Sequence, residues 1–138
     1  MTDGNGTKSP IIPTLRYRDA ARMVDWLCDA FGFERHLVVP DGSGGIATAQ
    51  LTFGSGMIML ASWRGDAFGV LILTPADAGS VQIAYVIVAD VDAHAARAEA
   101  HGTEVVLAPQ NQDYGGRDYT VRDPEGQIWS FGSEDPWA

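Results

Sequence analysis

Between Ile11 and Gly132 the chain sets out one pattern of apolar runs, caps and turns twice. The first copy opens with a short run, Ile11 to Arg18, followed by Asp19, a residue type that caps helices. Ala20, Met23, Val24, Leu27, Cys28 and Phe31 then recur at helical spacing and draw one apolar stripe, which Gly32 stops. Phe33 to Val39, Ile46 to Phe53 and Met57 to Ala61 read as strands separated by Pro40-Asp41-Gly42-Ser43-Gly44-Gly45 and Gly54-Ser55-Gly56. The second copy repeats the order: strand Val81 to Ala89, cap Asp90, helix Val91 to His101, stop Gly102, then strands Thr103 to Leu107, Arg117 to Arg122 and Gln127 to Gly132. Asp19 and Asp90 are 71 residues apart, Gly32 and Gly102 are 70, Gly45 and Gly116 are 71, and Gly56 and Gly126 are 70. Punctuation that repeats in register over two units marks a duplicated βαβββ module. Such a pair predicts an α+β fold in which a curved mixed sheet forms a cup, with the helices outside and alternate strand residues lining its interior.

A length of 138 residues, 46% of them apolar, suits one packed domain. The expected layout is a mobile tail over 1–9, a first module over 10–62, a connection over 63–80, a second module over 81–133 and a short tail over 134–138. Nine basic against 18 acidic residues leave a formal net charge of -9, which repels nucleic-acid phosphates and anionic membranes and attracts cations. The single cysteine, Cys28, sits in the apolar stripe and reads as a small core residue. No leader-like or spanning apolar run is present, which predicts a cytoplasmic protein.

Several segments are similar to those of the vicinal oxygen chelate superfamily, which includes glyoxalase I, extradiol dioxygenases, fosfomycin-modifying transferases and bleomycin-binding resistance proteins. Val88-Ala89-Asp90-Val91-Asp92 resembles its strand-to-helix entry, Ala100-His101-Gly102 its helix exit, and Tyr114-Gly115-Gly116-Arg117, Asp123-Pro124-Glu125-Gly126 and Ile128-Trp129-Ser130-Phe131 its last hairpin. The resemblance spans about residues 11 to 132 and implies the two-module fold and a homodimer. It also implies where metal-dependent members hold a divalent ion, on the first and fourth strands of each module. Seven residues before each capping aspartate these positions are Ile12 and Ile83, and four after Gly56 and Gly126 they are Leu60 and Ser130. Metal sites of this kind use imidazole and carboxylate, so no metal and no other cofactor is expected.

His94 and His101 stand seven residues apart on one predicted helix, a rise of about 10 Å, too far to share an ion, and read as solvent-facing. Core packing is the default for Trp26, Trp129 and Trp137, whereas Trp63 follows the fourth strand in a Gly-containing connection where a ring can stack on a ligand. Arg117 and Tyr119 share a strand face, with Tyr114 just before them, and offer a cation and phenols. Arg16, Thr48, Gln50 and Thr52, with Met57 and Met59, alternate at strand spacing and suit either cup lining or an outer face. No Ser-His-Asp or Cys-His set and no phosphate-cradling glycine motif before a helix is present.

The reading that follows is a metal-independent binder of a small, cationic or aromatic molecule, nearest to the bleomycin-resistance branch. Its contacts are Trp63, Gln50, Met59, Tyr114, Arg117, Tyr119 and Ser130, and it has no nucleic-acid or membrane partner. Two other readings are a lyase, isomerase or dioxygenase with atypical metal ligands, and a metal-free enzyme using Tyr119, Tyr114 or an aspartate as acid or base.

Overall fold

The structure is a computed structural model that describes residues 8–138. The expected tail falls mostly on residues 1–7, outside the described residues. The chain packs as two compact units that divide between Thr74 and Pro75, inside the expected connection. Each unit is a βαβββ module with its own four-stranded mixed sheet.

In the first module, β1 (Thr14–Tyr17) leads into α1 (Ala20–Trp26), which continues through a wide π-type turn, Leu27–Phe31, to Gly32. The strands β2 (Glu34–Pro40), β3 (Ile46–Phe53) and β4 (Gly56–Ser62) follow, in the sheet order β1-β4-β3-β2. β1 runs parallel to β4 and the hairpins are antiparallel. The Asp19 carboxylate accepts from the Arg22 amide at 3.1 Å, as a helix cap should. The apolar stripe read from the sequence, Cys28 included, is buried, and α1 packs on β3 and β4.

A short helix, α2 (Pro75–Ala78), was not anticipated; proline suits its first turn because the missing N–H would be unpaired there anyway. The second module then runs β5 (Ala84–Ile87), α3 (Val91–Ala100), β6 (Glu104–Asn111), β7 (Arg117–Arg122) and β8 (Ile128–Gly132), in the order β5-β8-β7-β6. Asp90 caps α3 through the Ala93 amide at 3.0 Å.

Three departures from the sequence reading have physical causes. The opening strands are shorter than expected. Pro13 lacks an N–H for the ladder, while the residues before β5 are held by side chains: the Ile128 amide donates to Ser80 Oγ, and Gln127 Nε2 donates to the Gln82 carbonyl. The glycines paired as hairpin markers are also not equivalent. Gly54 and Gly126 take the left-handed conformation at the turn (φ 56° and 96°), whereas Gly56 is already inside β4. Lastly, left-handed Gly32 follows cap Asp19 by 13 positions, but left-handed Gly102 follows Asp90 by 12. The additional residue is taken up by the π-type turn, which has no counterpart in α3.

Candidate functional site

Register fixes which side chains share a face. In the first module one ladder row reads Thr14, Met59, Gln50, Leu37; in the second, Tyr85, Ser130, Thr120, Leu107. These rows match at offsets of 71, 71, 70 and 70. The first-module counterpart of Ser130 is therefore Met59, not Leu60. Leu60 is 1% exposed and packs in the helix-side core with Tyr17, Ala49, Leu51 and Ile58. Counting from Gly56 displaced the fourth-strand position by one residue, and one residue in a strand is a change of face.

The same parity relocates two candidates in the second module. Tyr119 is fully buried on the helix side, where its hydroxyl shares a 2.6 Å hydrogen bond with His94 Nδ1 and its ring stacks on Phe131. Burial, reinforced by the charge of Glu99, holds its phenol well above the ordinary range. His94, read as solvent-facing, instead lies against Phe131 with ring centres 4.2 Å apart, whereas His101 is exposed and bonds its own helix through the Arg97 carbonyl. Arg117, on the same side of β7 as Tyr119, grips Asp92 of α3 through Nε and Nη2 at 3.0–3.3 Å. These residues fasten a helix to its sheet and do not face the side that carries Ser130.

The Asp123-Pro124-Glu125-Gly126 turn is also scaffold. Asp123 is buried, and its Oδ1 accepts the Glu125 and Gln127 amides at 2.9 and 3.0 Å while its Oδ2 accepts the Trp129 indole N–H at 3.1 Å. A carboxylate is needed because three donors converge on it.

What remains is the face of each sheet turned away from its helix. In the first module it carries Thr14 and Arg16 from β1, Met57, Met59 and Ala61 from β4, Thr48, Gln50 and Thr52 from β3, and Leu37 and Val39 from β2. Met59 and Gln50, both expected contacts, are cross-strand partners here. Trp63 continues the same parity beyond β4 and is 40% exposed. Its indole N–H donates to the Gly69 carbonyl at 2.9 Å, and Asp66 Oδ1 accepts the Gly69 amide at 2.8 Å, so the segment after β4 folds back as a tight loop. A Cβ at position 69 would collide with the Arg64 carbonyl, which is why glycine stands there. The loop sets Phe68 against the guanidinium of Arg16, 5.0 Å from the ring centre. Arg16 is among the residues whose spacing in the sequence suits either cup lining or an outer face, whereas nothing local in the sequence signals Phe68.

In the second module the face is more polar. Ser130 Oγ and Thr120 Oγ1 share a hydrogen bond of 2.9 Å, beside Tyr85. The Tyr85 hydroxyl donates to the Glu134 carbonyl at 2.8 Å, crossing β8 at Gly132, where a Cβ would lie 2.5 Å from it. Tyr114 donates to Asp118 Oδ2 at 3.2 Å and Gln112 Nε2 donates to Oδ1 at 2.7 Å. Tyr114 is thus near this face but at its edge, on the turn before β7.

The donors for a divalent ion do not fit. Ile12 and Ile83 precede the strands, and Met59 and Ser130 offer a thioether and a hydroxyl at the fourth-strand position. Among the described residues no three His, Cys, Asp or Glu side chains converge. No helix among them is long and apolar enough to cross a membrane.

The family model for the Glyoxalase/Bleomycin resistance protein/Dioxygenase superfamily matches residues 12–131. The chain belongs to this superfamily. Relatives in sequence include an uncharacterized protein of Mycobacterium tuberculosis, 33% identical over 121 residues, which are 87% of this chain and 71% of the relative. Among solved structures, TioX from Micromonospora sp. ML1 superposes with a TM-score of 0.72 at 35% identity, covering 88% of this chain and 95% of TioX. The superfamily fold is shared more distantly by the fosfomycin resistance protein FosX of Listeria monocytogenes, solved with Mn(II) and 1S,2S-dihydroxypropylphosphonic acid. FosX has a TM-score of 0.64 at 14% identity, covering 91% of this chain and 89% of its own.

Proposed function

We propose that this superfamily member is a metal-independent binding protein for a small molecule with a flat aromatic part. The observation that carries the reading is the pair Met59 and Ser130, which occupy matched places in the two ladders where an imidazole or carboxylate would be needed to hold an ion. Around Met59 the surface is a mixture of thioether, amide and hydroxyl with the Trp63 and Phe68 rings beside it. Apolar contact supplies affinity on such a surface, and a few polar groups fix orientation.

Elemental analysis of purified protein, followed by thermal-shift screening of aromatic compounds with and without chelator, tests the reading. The expected result is less than about one-tenth of an equivalent of divalent metal and ligand-induced shifts that chelator leaves unchanged, since a ligand at a hundred times its Kd stabilises by about 2.7 kcal/mol. A stoichiometric metal, or shifts abolished by chelator, overturns it. Trp63→Ala should reduce the shift, measured in the same screen.

A further inference from the structure

The first module carries a cation whose surroundings account for only part of its bonding capacity. Arg16 projects from β1 on the face turned away from α1, in the row beside Met59. It is half-buried, yet of its five N–H groups one reaches an acceptor, the Leu15 carbonyl, at a long 3.4 Å. Among the described residues Arg16 makes no ion pair, whereas Arg35, Arg64, Arg117 and Arg122 each have an acidic partner. The carboxylate that most favours its charge, Asp66, is already engaged: it pairs with Arg64 at 3.8 Å and accepts the Gly69 amide. The neighbouring charge of Arg64 opposes that of Arg16, and partial burial disfavours it further. In a chain with twice as many acids as bases, a cation is thus set over an aromatic ring on a sheet face with little of its bonding capacity used.

We propose that Arg16, held over the Phe68 ring, is a subsite for the carboxylate of a flat aromatic ligand. The inference rests on the binding-protein reading and narrows it from aromatic molecules in general to aromatic acids. A guanidinium with most of its N–H groups unbonded presents a donor fork that matches the two oxygens of a carboxylate. The loop is built to hold the arrangement: the Trp63 indole bonded to Gly69, Asp66 bonded to the same glycine and a position 69 that admits only glycine fix where Phe68 sits. An anion arriving there pairs with N–H groups that the protein leaves unbonded.

Isothermal titration and tryptophan quenching with 2-naphthoate, 2-naphthamide and 2-naphthylmethylammonium distinguish the possibilities. The expected order places naphthoate about tenfold or more ahead of the amide, the scale of one charge-assisted pair, with the ammonium weakest. In Arg16→Gln, whose folding is checked by its melting curve, naphthoate should lose that lead. Arg16→Lys, which keeps the charge without the fork or the stack, should retain part of it. Equal binding of naphthoate and amide by the wild type, or a lead that survives Arg16→Gln, overturns the subsite. If amide or ammonium binds as well as naphthoate, the carboxylate inference falls while the binding-protein reading stands. If none of the three binds, the subsite is overturned, and the aromatic-ligand reading falls with it.

Discussion

Asp123 and Tyr119 show how a residue with functional chemistry can be committed to architecture. Asp123 collects three donors, one of them the indole of a buried tryptophan. Replacing it with alanine leaves that indole unpaired in the core, and we expect Asp123→Ala to cost about 2–3 kcal/mol, read as a lower urea midpoint. Tyr119 is neutral for the same reason that it is unavailable: it is buried. Because its folded pKa lies above the ordinary phenol value of about 10, the unfolded chain releases this proton first as pH rises. The contribution is therefore fully present below about pH 10 and is lost progressively above it. Urea titrations at pH 8 and pH 11 should show a drop in stability that is smaller in Tyr119→Phe. Residue types on a strand nominate candidates, but parity decides among them, and parity needs a register that the sequence supplies only to within one position. That single position moved the fourth-strand site from Leu60 to Met59.

At the scale of elements, both capping aspartates, both helix-stopping glycines and the strands Ile46–Phe53 and Arg117–Arg122 were readable directly from spacing and residue type. These are places where local chemistry has few alternatives. Gly32, at φ 87°, is one. Gly32→Ala should cost about 1–2 kcal/mol, the penalty of a left-handed conformation for a residue with a Cβ, measured by the same urea method. The unreadable parts depended on contacts distant in sequence. The beginning of β5 is set by Ser80 and Gln127 across 45–48 residues. The Arg16–Phe68 contact depends on how residues 63 to 69 fold back, which no periodicity announces.

Across the whole molecule, a net charge of -9 acts at long range while the Arg16 guanidinium over Phe68 acts at contact. The two have opposite signs for an anionic ligand. Screening extends over roughly 10 Å at 0.1 M salt, so salt should weaken the distant repulsion more than the contact. Stopped-flow quenching should show the association rate of 2-naphthoate rising with ionic strength between about 0.01 and 0.1 M, where a cationic probe should slow.

The π-type turn at Leu27–Phe31 also absorbs the one-residue difference between the two copies. If a single ancestral module was copied and joined to itself, the 13-residue interval in one copy and the 12-residue interval in the other differ by one inserted or deleted codon. Widening one turn kept both the cap before it and the left-handed glycine after it in place, so the change never propagated to the sheet. The helix is the place where an extra residue leaves both the cap and the glycine undisturbed, whereas in a strand one residue reverses a face unless a bulge absorbs it, as in β2 and β6.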